Sequence, residues 1–253
     1  MTGTVVLITD FGLEDAYAAE LRAAVWAAAP AVRCVDGTHL VRAGDVLSGA
    51  YACERLARAF GGGTALCAVI DPGVGSPRPL VGVECDGVLA VAPDTGILSY
   101  LWLDARRRRA VRLEVPGSAS ATFHGRDVLA PVAAALASGE DLARCGETLE
   151  APRILPELVP KRDGATLRSV MVSVDHFGNC VTGIRTGDVA ATIAEVRWPG
   201  GGTRRTVRTY SEIDSGLAVL WNSAGHLELA ARGTSAARIA GVDVGAPVEV
   251  VLE

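Results

Sequence analysis

Residues 68–83 read AVIDPGVGSPRPLVGV. Small apolar side chains run unbroken to Ile70, the pattern of a strand buried on both faces rather than one alternating between core and solvent. The run stops at Asp71. Pro72, Gly73 and Gly75 then turn the chain, and Arg78 brings a guanidinium back before the apolar pattern resumes. A core strand that ends in a carboxylate on a glycine turn fits an open α/β sheet, in which ligands bind beyond the carboxyl ends of the strands.

The flanking segments support that sheet. TVVLITD (4–10) is a second doubly buried strand, closed by Asp10, and VRCVDGT (32–38) is a further strand. Between them, EDAYAAELRAAVWAAAP (14–30) spaces Tyr17, Leu21, Val25 and Ala28 along one helical face and stops at Pro30. GDVLSGAYACERLARAF (44–60) is a helix ended by Gly61, Gly62 and Gly63; PLVGVECDGVLAVAPD (79–94) predicts a hairpin, and GRDVLAPVAAALASG (125–139) a further helix. Strand and helix alternating in this order predict an α/β domain over 1–150, with a mostly parallel sheet and Rossmann-like layers of helix on both faces.

The texture changes at 151. APRILPELVPKRDGA holds three prolines and little periodicity, and reads as a linker over 151–166. Short β-like runs follow: LRSVMVSVD, NCVTGI, AEVRWP, RRTVRTY, LAVLWN, HLELAA and PVEVVLE, with TSAARIAG as the one helical segment. They predict a smaller, mostly-β, barrel-like domain over 167–253.

Composition narrows the function classes. The chain has 253 residues, 49% apolar and 21% charged, which is a globular composition with room for a sizeable core. A net charge of −5 gives no footprint for nucleic acid or an anionic membrane surface. Lys161 is the single lysine. The cysteines (Cys34, Cys53, Cys67, Cys85, Cys145 and Cys180) show no metal-like spacing and read as buried free thiols. No basic leader and no membrane-length apolar run is seen, so the expectation is a cytoplasmic protein.

Candidate groups lie where strands end. Asp10, Asp71 and Asp94 each close a strand, although any one of them serves equally as a helix cap or turn former. His124 sits on a loop before a helix, preceded by Phe123, and Arg126 and Asp127 are placed to cap that helix or pair. VDHFGNCVT packs Asp175, Phe177 and Asn179 into one tight turn, which an Asx-type hairpin also explains. WNSAGHLELA offers Asn222 and Ser223 in another turn. GVGSPR has Arg78 where a dinucleotide fingerprint needs glycine, no phosphate-binding GxxxxGK[ST] loop and no GxSxG elbow occur, and His39, His124, His176 and His226 are too dispersed for a metal cluster.

Taken together, ITDFGLEDAY, DGTH…GDV, VIDPGVGSPR, APDTGILS, TFHGRDVLAP, VDHFGNCVT and NSAGHLELA…GTSAA resemble the S-adenosyl-L-methionine hydrolases, or hydroxide adenosyltransferases, relatives of the fluorinating and chlorinating adenosyl enzymes. The resemblance runs in order over nearly the whole chain. It implies an α/β domain joined to a small β-barrel domain, and a homotrimer with substrate between one subunit's first domain and a neighbour's second. It places the catalytic Asp, Arg and His on Asp71, Arg78 and His124, the ribose-gripping carboxylate on Asp10, and an aromatic near the ribose and sulfonium on Phe123. It puts contacts to methionine and adenine on Asp175, Phe177 and Asn179, and Ser223 near the methionine carboxylate. Thr95, Ala43 and Ala224 depart from the family pattern, where Asn, Pro and, in halogenating relatives, Arg are usual.

The implied reaction is displacement of methionine from C5′ of S-adenosyl-L-methionine by water, giving adenosine and L-methionine. A sulfonium leaves as a neutral thioether, so the chief task is to hold water in line behind C5′, a positioning effect worth about 7–11 kcal/mol. Asp71 takes the proton, Arg78 orients Asp71, and His124 orients the water or shares the proton. No metal or other cofactor is expected. Two other readings remain: a halide adenosyltransferase making 5′-halo-5′-deoxyadenosine, and a non-catalytic adenosine or S-adenosylmethionine binding protein. His124 and Gly125 stand where halogenating relatives carry Tyr and Ser, and Asp71 replaces an aromatic, which favours water as nucleophile.

Overall fold

The computed structural model describes residues 3–253. The chain divides into two compact units, the first ending at Ile154 and the second running Leu155–Glu253.

In the first unit the order is β1 (Thr4–Thr9), α1 (Tyr17–Ala28), β2 (Arg33–Thr38), α2 (Val46–Phe60), β3 (Thr64–Val69), β4 (Leu80–Cys85), β5 (Val88–Pro93), α3 (Ser99–Asp104), β6 (Arg108–Leu113), α4 (Ala130–Ala137) and β7 (Gly146–Leu149). The seven-stranded sheet has the order β2-β1-β3-β5-β4-β6-β7. The sheet is mixed, which corrects the expectation of a mostly parallel one. β2, β1, β3 and β5 run parallel, while β4, β6 and β7 are paired antiparallel. The cause is local. Asp86 and Gly87 both take positive φ, the backbone of a two-residue hairpin turn, so β4 and β5 must be antiparallel. Such a turn leaves no room for the helical crossover that parallel neighbours need.

Both faces of the sheet are covered. Val5, Leu7, Cys67 and Val69 face α1 and α4 in one apolar core; Val6, Ile8, Ala68 and Ile70 pack on the other side with Cys53, Ile97 and Trp102. β1 and β3 are thus buried on both sides, which is why they read as unbroken apolar runs. Within α1, Leu21 and Val25 are buried as the periodicity predicts, but Tyr17 is 49% exposed. Its ring turns to Phe11 and Phe123 instead.

The second unit contains β8 (Lys161–Asp163), β9 (Thr166–Val174), β10 (Cys180–Arg185), β11 (Ile193–Trp198), β12 (Gly201–Thr203), β13 (Ala218–Trp221), β14 (His226–Ala230), α5 (Ala236–Ala240) and β15 (Pro247–Leu252). The strands form one antiparallel, nearly closed barrel-like sheet in the order β12-β11-β15-β9-β10-β14-β13, with β8 added to β9 from within the proline-rich segment. RRTVRTY does not form the strand its composition suggests. Thr206 makes a single bridge to Val219, and Tyr210–Glu212 is a 3-10 turn. Arg205 explains this: its guanidinium is spent on the carbonyls of Ser215 and Glu212, which folds the segment back on itself. Among the described residues no helix is long and apolar enough to cross a membrane, and the six cysteines are free.

Candidate active site

The site in the first unit is built on two neighbouring parallel strands. Thr9 of β1 pairs with Val69 of β3, so Asp10 and Asp71 emerge at adjacent strand ends. Asp71 opens a loop that must fold tightly over itself: a Cβ on Gly73 would meet Arg78 Cδ at 3.0 Å, and Gly75 adopts φ +81°. Glycine at both positions lets Arg78 return onto the carboxylate.

Arg78 grips Asp71 at both oxygens. Nε donates to Oδ1 at 2.6 Å and Nη2 donates to Oδ2, with both side chains only 10% exposed. Oδ1 also accepts the backbone N–H of Gly73 at 3.1 Å. A carboxylate has about four acceptor positions, and these bonds leave the open one on Oδ2. Nη2 of Arg78 also lies 3.2 Å from Nδ1 of His124. A guanidinium only donates, so Nδ1 accepts and the imidazole proton sits on Nε2. His124 thereby becomes a donor with a fixed tautomer.

His124 is held by the start of a helix. One turn of wider, π-type helix over Gly125–Leu129 precedes α4, and Gly125 rests against Val69 of β3. Asp127 fixes the preceding loop: it accepts the Ser120 N–H at 2.8 Å and pairs bidentately with Arg126, which also reaches Glu20 at 2.8 Å. The Arg126 hydrogen bonds hold the Asp127 carboxyl below its ordinary range. Arg126 and Asp127 are therefore a clasp, as their placement suggested.

Asp10 sits close by but in a different environment. Its Oδ2 accepts the Gly44 N–H at 2.7 Å. Burial pushes its carboxyl above the ordinary 3.8, the charge of Asp71 adds to that, and hydrogen bonds from Gly44 and its own N–H only partly offset it. Beside it, Phe11, Tyr17 and Phe123 form a three-ring cluster, with centroids 5.6 to 5.8 Å apart and tilted or edge-to-face contacts. Phe11 and Tyr17 were missed from sequence. Their signal is present in DFGLEDAY, where both aromatics follow the strand-end carboxylate, but helical periodicity assigned Tyr17 to the core. Asp94, in contrast, accepts the Arg153 N–H at 2.7 Å and closes a loop, which is the structural role any strand-end aspartate can take.

The second unit carries a separate cavity of about 730 Å³, a size suited to a small ligand, lined by Asp175, Phe177, Asn179, Tyr210, Arg232 and Ser235 among others. Asp175 is largely consumed by its own turn: Oδ1 accepts the N–H groups of Phe177 and Asn179, and Oδ2 accepts Asn179 Nδ2 at 3.0 Å. By the count applied to Asp71, one acceptor position stays open on Asp175 Oδ2. Gly178, at φ +84°, lies so near Ser235 that a Cβ would fall 2.5 Å from the serine Cβ, which docks the turn on the start of α5. Phe177 stands at the tip, 75% exposed. Ser223 is exposed on the turn between β13 and β14 and does not line this cavity. Tyr210, Arg232 and Ser235 were not singled out from sequence, because only tertiary folding brings them to the DHFGN turn.

Comparison with known proteins covers both units. Residues 5–146 match the N-terminal domain and residues 170–249 the C-terminal domain of the SAM hydroxide adenosyltransferase family. An (R)-S-adenosyl-L-methionine hydrolase of Salinispora tropica is 35% identical, covering 94% of this chain and 93% of the relative. One from Thermus thermophilus is 34% identical over 98% and 99% of the two chains. A fluorinase of an Actinoplanes species is more distant, at 24% identity over 73% of this chain and 72% of its own. A solved protein of Thermotoga maritima superposes with a TM-score of 0.87 at 27% identity, covering 97% of this chain and 99% of that one. With matches across both units and in the same order, the chain belongs to the SAM hydroxide adenosyltransferase family.

Proposed function

We propose that the protein hydrolyses S-adenosyl-L-methionine to adenosine and L-methionine. The observation that carries this reading is the linked set of Asp71, Arg78 and His124 at a strand end, with a second carboxylate, Asp10, beside it. Water donates one hydrogen bond to the open position on Asp71 Oδ2 and accepts one from His124 Nε2–H. A lone pair is then directed at C5′. As the O–C5′ bond forms, the C5′–S bond breaks and its electron pair stays on sulfur, so methionine leaves as a neutral thioether. Asp71 accepts the water's proton and later gives it to solvent. Asp10 accepts from the ribose hydroxyls. Phe123, with Phe11 and Tyr17 packed around it, stands near the ribose and sulfonium. Asp175, Phe177, Asn179 and Ser223 serve the adenine and methionine ends.

The halide reading is weaker on two counts. A halide must exchange its hydration shell for fixed donors, whereas this site presents the Asp71 carboxylate, and Gly125 offers only its backbone.

We further propose that no cofactor is required, that the working species is a homotrimer, and that it acts in the cytoplasm. Ligand motifs falling in two separate units support the oligomer, and the free thiols support a reducing compartment. Incubation with S-adenosylmethionine in ¹⁸O-water and chelator should place the label in the 5′-hydroxyl of adenosine. Unlabelled adenosine, or activity lost to chelator and restored by a divalent ion, would contradict the mechanism. Light scattering of an active monomer would remove the trimer.

A further inference from the structure

A chain of hydrogen bonds that runs through β2 ends on the backbone beside Asp10. Arg22 Nε holds Asp36 at 2.9 and 3.1 Å, and Asp36 Oδ1 lies 3.1 Å from His39 Nε2. His39 Nδ1 lies 2.8 Å from the Thr9 hydroxyl, and Thr9 Oγ1 accepts the Phe11 N–H at 3.2 Å. A carboxylate held by arginine only accepts, so His39 donates from Nε2; in the neutral ring Nδ1 is then bare and accepts from the Thr9 hydroxyl. Thr9 is fully buried and His39 is 3% exposed, so no bulk water can replace a lost partner.

The backbone of the same loop completes the grip. Gly12 N–H donates to His39 O at 2.8 Å, and further along the loop Gly44 N–H reaches Asp10 Oδ2. The residues on both sides of Asp10 are thus tied to His39 or its loop. The sequence that permits this is DGTH. β2 pairs Leu7 with Asp36 but Ile8 with Thr38, so Gly37 is an extra residue, a bulge that turns the strand end inward. A Cβ at Gly37 would meet Leu56 Cδ1 at 2.7 Å and Val6 Cγ1 at 2.9 Å, so only glycine fits without displacing the core.

We propose that His39 is a positioning residue for substrate recognition: acting through the Thr9 hydroxyl, it aims Asp10 at the ribose diol. The proposal rests on the reading of Asp10 as the ribose acceptor. Two carboxylate oxygens can meet two vicinal hydroxyls only at one tilt, so freedom in the 9–12 turn is lost selectivity for the diol.

The test compares binding of adenosine and 2′,3′-dideoxyadenosine to the full chain by calorimetry. Wild type should prefer adenosine at least about tenfold, the scale of a charge-assisted hydrogen bond. Thr9→Val removes the hydroxyl at equal volume, and His39→Gln keeps a donor toward Asp36 but no acceptor toward Thr9. Each should erase most of that preference, and the double variant should lose no more than either alone. His39→Asn, whose carboxamide oxygen takes the place of Nδ1, should keep it. Equal loss for both nucleosides, or full preference retained in Thr9→Val, overturns the proposal; Thr9→Val decides the matter if His39→Gln does not fold. A wild type without preference removes the ribose role of Asp10 itself, and the proposal with it.

Discussion

A Cβ built on Gly125 would stand 2.9 Å from Cγ1 of Val69, so the helix that follows His124 meets the end of β3 backbone-first. Position 125 therefore has no room for a hydroxyl-bearing side chain unless Val69 moves. Gly125→Ser should cost about 1–3 kcal/mol in chemical denaturation, as overpacking does, and Val69→Ala should recover part of it in the double variant. Neither the wild type nor Gly125→Ser should yield 5′-halo-5′-deoxyadenosine above background at high chloride or fluoride. Clear halo-nucleoside production by the wild type, read by chromatography, would promote the halide reading.

Asp71→Asn keeps the shape of the carboxyl and removes its proton acceptor. Turnover should fall on the order of 10²- to 10⁴-fold, the usual share of a general base, with KM within about tenfold of wild type. A near-wild-type kcat in steady-state assays would show that another group takes the proton.

Asp10 gives a pH signature. Its folded-state value lies above 3.8, mainly from burial, so its contribution to stability is fully present below the unfolded value and is lost as pH rises through the folded one. At neutral pH its ionisation works against folding. Asp10→Asn should therefore leave thermal stability at pH 7 unchanged or raised while weakening adenosine binding. In the wild type, KM should climb on acidification with a midpoint above 3.8, and this acid limb should vanish in Asp10→Asn. An unchanged limb in the variant would assign it to a different group.

Buried Glu228 joins two turns of the second unit, accepting from the Tyr210 hydroxyl at 2.7 Å on Oε1 and from Asn222 Nδ2 at 3.1 Å on Oε2. Glu228→Gln sets an amide against an amide, and Asn222→Asp sets a carboxylate against a carboxylate. Each should destabilise by about 1–3 kcal/mol, the cost of an unsatisfied buried group. Glu228→Gln with Asn222→Asp reverses donor and acceptor, so the double variant should lose less stability than the sum of the single losses. Strict additivity would mean that the bridge carries no coupling.

Much of the first unit was legible because its cause is local. β1 and β3 sit between two helical layers, so their sequences are unbroken apolar runs, and an aspartate closing such a run lies at a strand end of the sheet. The proximity of Arg78 to Asp71 was legible too, since a short loop with Gly73 and Gly75 has few other ways to close. The direction of β6 and β7 was not. It follows from the Asp86–Gly87 turn and from which free edge was available after it, and strand sequences carry little record of their neighbours. Tyr17 failed for a related reason: a periodic pattern identifies a helical face but not what covers it.

The order of the motifs and the two-part layout are written in contiguous residues with their own propensities, and the candidate groups Asp71, Arg78 and His124 could be named from them. How those groups are poised depends on tertiary packing. Proton placement on His124 follows from an arginine far along the chain, the raised carboxyl of Asp10 from burial beside Asp71, and the contact of His39 with Thr9 from a bulge at Gly37. Hydrogen-bond direction and desolvation depend on which atoms share a few ångströms, and that is fixed only when distant segments pack.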